Sequence, residues 1–371
     1  MRVLLTGGGT GGHVNPALAI ADAIKKYESD AEIAYIGTKK GIENRLVSKE
    51  GYKMYHVEAS GFQRSLSPKN LITAWYYFTA PIAAKKIIKE FRPDIVIGTG
   101  GYVCHAPLLA AAKLGIPTLV HESNAYPGKA VRMLQKKVDR ILLNFPQAED
   151  YFDADVKDKI SAVGNPLRGE FGSYTKEQAR QQLNIGSEYK YILLTFGGSL
   201  GAPAINTAAL EIMKEYTSAH PEVLHIHATG KERFAEFDVL FKENGLDKYP
   251  NIEVSEYIYD MPLKLAAADL VISRAGAMTV TEMARMKKAC IMIPSPYVAN
   301  NHQYKNAKVL HDAGAVSLIE EKELCDGRIV CEVSSLLCDG RRRNEMETGI
   351  GRFAGGDAKE IIYKEIKELL K

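Results

Sequence analysis

Val3-Leu4-Leu5-Thr6-Gly7-Gly8-Gly9-Thr10-Gly11-Gly12 opens the chain, and 189 residues later the same design returns as Ile192-Leu193-Leu194-Thr195-Phe196-Gly197-Gly198-Ser199-Leu200-Gly201. Each is an apolar run long enough for one buried strand, emptying through small residues toward a helical pattern. A helix that begins there leaves backbone N–H groups without intrahelical partners, and an anion can sit on them. Two copies imply two domains of one kind. Either each holds its own nucleotide, or the pair holds two substrates in a cleft between them.

Working outward from the first copy, strand-like runs at 2–6, 32–36, 53–57, 94–98, 117–121 and 139–143 alternate with helical patterns at 15–28, about 70–91, 105–114 and about 127–137. That alternation predicts βαβ units and a parallel sheet. It stops near Gly164-Asn165-Pro166, where the proline forces residue 165 out of the helical region and a hinge is expected. A second series follows, with strands at 190–195, 222–227, 252–254, 269–273, 289–293 and 315–318. The expected class is therefore α/β: two Rossmann-like, doubly wound parallel-sheet domains, 1–164 and 165–354. An amphipathic segment at 355–371 is expected to pack back on the first.

The 371 residues suit two domains better than one core. Hydrophobic content of 46% with 25% charged residues reads as globular, and the N-terminus enters its first strand without a signal-peptide pattern. The five cysteines form no CxxC pair, so a reducing compartment is expected and a zinc site is not. Charge is uneven: residues 1–164 hold 22 Lys and Arg against 16 Asp and Glu, whereas the remainder holds 26 against 29. A basic first half fits an anionic surface, or two solvated surfaces that differ by chance. No nucleic-acid partner is expected.

Gly7, Gly9 and Gly12 satisfy GxGxxG, the dinucleotide fingerprint. That reading also wants an acid closing the second strand, yet Ile33-Ala34-Tyr35-Ile36 ends in Gly37-Thr38. A tight turn without a ligand is the plainer alternative. His13 follows the glycines in the first helical turn, facing the crevice beyond the strand ends, where an imidazole either acts as a base or merely caps the turn. In the second half, Arg274-Ala275-Gly276-Ala277-Met278-Thr279-Val280-Thr281-Glu282 follows a strand and opens a helix. Its small residues let backbone N–H groups approach a diphosphate, and Glu282 is either a ribose acceptor or an ordinary helix glutamate. Asn300-Asn301-His302-Gln303 offers paired donors and acceptors for sugar hydroxyls, or a helix cap. Convergence of these motifs at C-terminal strand ends favours a ligand. Asp153-Ala154-Asp155 spells the metal-binding DxD string but lies in a charged stretch, and a solvated loop is expected instead.

Leu71-Ile72-Thr73-Ala74-Trp75-Tyr76-Tyr77-Phe78-Thr79-Ala80-Pro81-Ile82 holds the single Trp, flanked by Lys69, Lys85, Lys86, Lys89 and Arg92. The run is too short and too basic to span a bilayer. It reads as a core helix by one face and, by the face bearing Leu71, Trp75, Phe78 and Ile82 with Lys69 and Lys85, as an interfacial membrane contact.

Together the motifs GGTGGH (Gly8 to His13), GTGGYV (Gly98 to Val103), GIP (Gly115 to Pro117), HE-N (His121 to Asn124), GNPLR (Gly164 to Arg168), GGSLGA (Gly197 to Ala202) and RAGAMTVTE (Arg274 to Glu282) span nearly the whole chain. In this the chain closely resembles the peripheral membrane glycosyltransferases that add N-acetylglucosamine to the lipid-linked muramyl-pentapeptide of peptidoglycan synthesis. The resemblance implies a GT-B architecture, with UDP-N-acetylglucosamine mainly in the second domain and the lipid acceptor in the first. It implies that Ser199 and Arg168 contact the diphosphate, that Ala277, Met278 and Thr279 cradle phosphate, and that the Ile258 backbone meets uracil. Glu282 would hold ribose and Gln303 the sugar, while Thr10, Gly11, Gly12 and Asn124 reach the transferred sugar and His13 is the base. Departures from the family pattern are His302, Ser123, Ala275 and Cys104-His105, of which Ser123 and His105 are expected beside the acceptor crevice.

The implied reaction is in-line attack by the C4 hydroxyl of N-acetylmuramate on the α-linked donor sugar, with inversion. His13 takes the proton, and Arg168, Ser199 and the helix start near residue 277 meet the charge on UDP without a metal or other cofactor. The domains would close about the hinge. The expected place is the cytoplasmic face of the cell membrane, on its anionic inner leaflet. Two rival readings stand at this point: a GT-B transferase acting on diacylglycerol or a small aglycone, and a two-lobed binding protein without catalysis.

Overall fold

The computed structural model describes residues 1–61, 69–169 and 171–371. The chain divides into two compact units, Met1–Arg168 with Gly355–Lys371, and Gly169–Ala354. The crossing at Arg168 lies just beyond the Gly164-Asn165-Pro166 turn.

The first unit is a seven-stranded sheet of β1 (Arg2–Thr6), β2 (Glu32–Gly37), β3 (Lys53–His56), β4 (Ile95–Gly98), β5 (Thr118–Glu122), β6 (Arg140–Leu143) and β7 (Ile160–Ala162). Its order is β3-β2-β1-β4-β5-β6-β7, and every neighbouring pair is parallel. Strands buried on both faces read as continuous apolar runs, which is why Val3, Leu4 and Leu5 are all fully buried. The connecting helices are α1 (Gly11–Tyr27), α2 (Ile42–Lys49), α3 (Lys69–Phe91), α4 (His105–Lys113) and α5 (Lys129–Leu134). Strand β7 and helix α2 are additions to the sequence reading. The first is three residues long and the second eight, each too short to print a periodicity.

The second unit repeats the plan. Helices α6 (Lys176–Gln182), α7 (Pro203–Glu215), α8 (Phe234–Glu243), α9 (Met261–Ala267), α10 (Ala277–Met286), α11 (His302–Asp312), α12 (Arg328–Cys338) and α13 (Gly340–Gly351) accompany β8 (Tyr191–Phe196), β9 (Val223–Ala228), β10 (Ile252–Ser255), β11 (Leu270–Ser273), β12 (Cys290–Met292) and β13 (Ser317–Leu318). The sheet order is β10-β9-β8-β11-β12-β13, again parallel throughout.

In both sheets the order reverses beside the strand that feeds a glycine turn, between β1 and β4 in one and between β8 and β11 in the other. At such a reversal neighbouring connections leave toward opposite faces, which opens a crevice at the carboxyl ends of the strands. The last helix, α14 (Ala358–Leu369), belongs to the first unit. Its Ile362 and Ile366 are buried in one apolar cluster with Val3, Leu5, Leu18 and Ile97. Tyr363 stacks on Tyr27 with ring centroids 4.5 Å apart, and Arg140 pairs with Glu365 at 3.1 Å.

Candidate functional site

In the first unit β1 runs into Gly7-Gly8-Gly9 and α1 starts at Gly11, so His13 occupies the first turn of the helix at the sheet reversal. Its Nδ1 lies 3.1 Å from the Gly8 carbonyl and 3.2 Å from the Thr10 hydroxyl. A carbonyl only accepts, so the Gly8 contact puts the proton on Nδ1 and the ring's lone pair on Nε2. The turn after β4 completes the setting: Thr99 donates to the His13 carbonyl at 2.6 Å, and Gly100 and Gly101 lie against the imidazole. Gly101 has φ 76°, and a Cβ there would stand 2.2 Å from the Gly8 oxygen, so the close approach depends on the missing side chain. Thr10 and Gly12 are exposed and Gly11 is half-buried.

A residue absent from the sequence reading braces this turn. Glu43, on α2, is fully buried. One carboxylate oxygen accepts from the Thr38 N–H at 2.9 Å and the Thr38 hydroxyl at 2.7 Å, and the other accepts from the Gly9 N–H at 3.3 Å. The end of the second strand carries no acid, and the next one, Glu43 on the helix that follows, is turned inward onto the loop. The glycines around it are its only sequence signal: Cβ atoms at Gly8, Gly37 or Gly41 would fall 2.8, 2.6 or 2.1 Å from Glu43 side-chain atoms.

Beyond β5, buried Glu122 orders the next loop by accepting from Asn124 N at 2.9 Å, Asn124 Nδ2 at 3.0 Å and Gly128 N at 2.8 Å. Burial raises its carboxyl above the usual range against those donors. Asn124, half-buried, thus has its amide orientation set. His121 is fully buried with Nε2 on the Gly164 carbonyl at 2.8 Å, and burial pushes it down to about 4, which leaves a neutral structural imidazole. Ser123 and His105, expected beside the crevice, are both buried, and His105 stacks on Tyr77 of α3 with centroids 4.8 Å apart.

Arg168 is placed differently from its expected assignment to the second domain. It closes the first unit, its guanidinium on Asp22 at 2.8 Å and on Glu50 at 3.0 and 2.8 Å. Asp22 and Glu50 both hold that cation, so a diphosphate contact requires these pairs to open. Asp153 and Asp155 both pair with Lys136 at 3.0 Å, and no metal-binding cluster occurs among the described residues.

Helix α3 divides cleanly. Thr73, Ala80, Ala84, Ile88 and Phe91 are buried, whereas Leu71, Trp75, Phe78 and Ile82, spaced as one helical face, are between 63% and 76% exposed. Lys85, Lys86 and Lys89 are exposed at its far end. The Lys69 side chain lies outside the described residues. No helix among the described residues is long and apolar enough to cross a membrane.

In the second unit the glycine turn after β8 bends through Gly198 (φ 91°) and Gly201 (φ 76°) and leaves Ser199 and Leu200 exposed. Gly201 packs directly on the loop after β9, where a Cβ would stand 2.0 Å from the Thr229 oxygen. After β11, Arg274 is not spread toward solvent: it pairs with Glu321 and donates to the Ile293 carbonyl at 3.0 Å, bracing the loop. Helix α10 then starts at Ala277 with no acid in its first turn, which comprises Ala277, Met278 and Thr279. A helix start of this kind suits an anion.

Glu282, on the second turn, is half-buried and makes no hydrogen bond or ion pair among the described residues. Desolvation without a compensating donor pushes its carboxyl up to about 8. Gln303 accepts from the Ser295 N–H at 2.9 Å, which anchors the loop after β12 and turns its NH₂ the other way. His302 caps the Ala299 carbonyl at 2.9 Å, and Ile258 is buried beneath exposed Tyr257 and Tyr259.

The N-terminal domain model of glycosyltransferase family 28 matches residues 3–143, and the C-terminal domain model matches residues 192–361. The chain is 43% identical over 371 residues to the UDP-N-acetylglucosamine--N-acetylmuramyl-(pentapeptide) pyrophosphoryl-undecaprenol N-acetylglucosamine transferase of Acetivibrio thermocellus, covering 100% of this chain and 99% of that one. It is 39% identical to the protein of the same name from Alkaliphilus metalliredigens, covering 100% of both. The crystal structure of Acinetobacter baumannii MurG is similar with a TM-score of 0.76 at 27% identity, over 99% of each chain.

Proposed function

This chain belongs to glycosyltransferase family 28, and from that premise we propose that it transfers N-acetylglucosamine from UDP-N-acetylglucosamine to the C4 hydroxyl of the N-acetylmuramyl sugar of undecaprenyl-diphosphate-linked muramyl-pentapeptide. It would thereby serve peptidoglycan synthesis. The observation that carries the chemistry is the orientation of His13, whose Nδ1 faces the Gly8 carbonyl and whose Nε2 therefore holds the basic lone pair. The acceptor hydroxyl attacks the anomeric carbon of the donor sugar, its proton passes to Nε2, and the bond to the UDP oxygen breaks with inversion. Charge gathering on the leaving diphosphate is met by the start of α10 and the Ser199 hydroxyl, groups already in place before the reaction. Glu282 accepts from the ribose diol, Gln303 addresses the sugar, Asn124, Thr10, Gly11 and Gly12 are assigned to the transferred sugar, and the Ile258 backbone addresses uracil. Arg168 joins the diphosphate only on leaving Asp22 and Glu50.

The lipid tail of the acceptor requires the enzyme at a bilayer. The exposed stripe Leu71, Trp75, Phe78 and Ile82 with its lysine end supports peripheral binding to the anionic cytoplasmic leaflet, apolar side chains entering the interface and ammonium groups meeting headgroups. Incubation with UDP-N-acetylglucosamine and either lipid-linked muramyl-pentapeptide or diacylglycerol tests the proposal. The expected product is the disaccharide-pentapeptide lipid from the first alone; product from diacylglycerol, or from neither, overturns it.

A further inference from the structure

The Gly8 carbonyl and the Gly9 N–H are the two ends of one peptide group. His13 Nδ1 lies 3.1 Å from that carbonyl, and Glu43 accepts from that N–H at 3.3 Å. A buried carboxylate and the imidazole of the candidate base are thus joined across a single planar amide. Resonance makes such an amide a conductor of polarisation: a negative charge on its N–H side raises electron density on its oxygen, and hydrogen bonds in series strengthen one another.

Building on the reading of His13 as base, we propose that Glu43 is a positioning residue that acts on His13 through the Gly8–Gly9 peptide, fixing the Nδ1–H tautomer and supporting the positive charge the ring acquires with the acceptor's proton. The arrangement does the work a carboxylate does in direct contact with a catalytic histidine, with one peptide interposed. Its construction is specific. Glu43 is held by three donors and is fully buried, so the charge does not wander. Gly8, Gly37 and Gly41 each leave the space its side chain fills, and Gly101 lets the Gly8 oxygen and the imidazole meet.

The other titratable groups packed on the turn are Tyr35 from β2, donating to the Gly7 carbonyl at 2.7 Å, Tyr102 against Gly9, and Cys104, donating to the Gly101 carbonyl at 3.1 Å. Burial raises all three, Cys104 to about 12, so they are neutral where the enzyme works.

The test is Glu43→Gln, which keeps shape and removes the charge. The His13 resonances, identified among the nine histidines by comparison with His13→Gln, are titrated by ¹⁵N-detected NMR in the full chain. The expected result is a fall in the His13 pKa of about half a unit to one unit, with Nδ1–H no longer the sole tautomer. The acid limb of the kcat/KM profile should move down by the same amount, and kcat should drop about tenfold while UDP affinity stays put. If Glu43→Gln fails to fold, Glu43→Asp, which draws the charge back from the Gly9 N–H, carries the test with a smaller expected shift. An unchanged His13 pKa and tautomer in a folded variant overturns the proposal, since a purely structural brace would lower kcat without moving either. Failure of the base assignment looks different: His13→Ala keeps its turnover, while the pKa of His13 still moves in Glu43→Gln.

Discussion

Two glutamates, one bracing the glycine turn of the first sheet and one on the helix that follows β11 in the second, meet opposite fates. Glu43 in the first unit is sealed inside and satisfied by three donors, whereas Glu282 in the second is half-buried and has no partner among the described residues. The same scaffold thus spends one acid on holding a loop and keeps the other uncompensated at a crevice. A carboxyl whose burial is not relieved by the chain's own donors is suited to hydrogen-bond a ligand. The difference teaches that the two turns are built differently, and under the proposed function the first would carry the base while the second would seat ribose and phosphate.

The strongest way to break that comparison is His13→Ala. Loss of the base should cut kcat by about 10²- to 10⁴-fold in a transfer assay with saturating donor and acceptor, with UDP binding by calorimetry unaltered. A parallel fall in UDP affinity would mean that the first turn also holds nucleotide. Next comes Glu282→Gln, expected to weaken UDP-N-acetylglucosamine by about tenfold at a pH above about 8, where the carboxyl is ionised and accepts from the ribose diol as a charged group, and by less at lower pH. Its stability should move the other way. A carboxyl raised to about 8 in the folded chain favours folding in its protonated form, so stability is present in acid and is lost as pH rises from the usual carboxylate range through about 8. The variant should therefore melt higher than the parent at pH 8, by roughly 2–4 °C for each kcal/mol relieved, and equally near pH 4.5. Equal melting at both pH values would show that Glu282 is not strained by burial.

The exposed face of α3 belongs to the first unit, and Trp75→Glu with Phe78→Glu tests what it does. Sedimentation with vesicles containing anionic lipid should fall by about five- to tenfold, while turnover on a short-chain, water-soluble acceptor persists. The smallest effect is expected from Ser199→Ala. One exposed hydroxyl contact to diphosphate is worth about 1 kcal/mol, so donor affinity should drop only several-fold.

Much of this arrangement is legible in the sequence because parallel sheets write themselves plainly. Fully buried strands print apolar runs, and glycine turns mark where the order reverses, so the motifs at Gly7–His13, Gly197–Gly201 and Arg274–Glu282 could be set at strand ends without coordinates. What stayed hidden depends on contacts between distant residues. Glu43 sits on a helix of eight residues, and nothing local says that its carboxylate reaches Gly9 across a turn. The pairing of Arg168 with Asp22 and Glu50, both distant in sequence, is likewise invisible from the residues beside Pro166. Glu282 is legible as a candidate ribose acceptor, but its lack of a partner among the described residues is a property of the space around it. Ser123 and His105, expected beside the acceptor crevice, are both buried, and their burial is not visible from their neighbours in sequence.

The seating of α14 in the first unit has a consequence for how the protein is made. Because Ile362 and Ile366 complete a cluster begun by Val3 and Leu5, the first domain to leave the ribosome is the last to be finished. Residues 169–354 emerge as a self-contained body while their predecessor still waits with an open apolar seam. A nascent chain halted before α14 would carry every candidate site residue and still present that seam to chaperones and proteases, so quality control, rather than chemistry, would decide its fate.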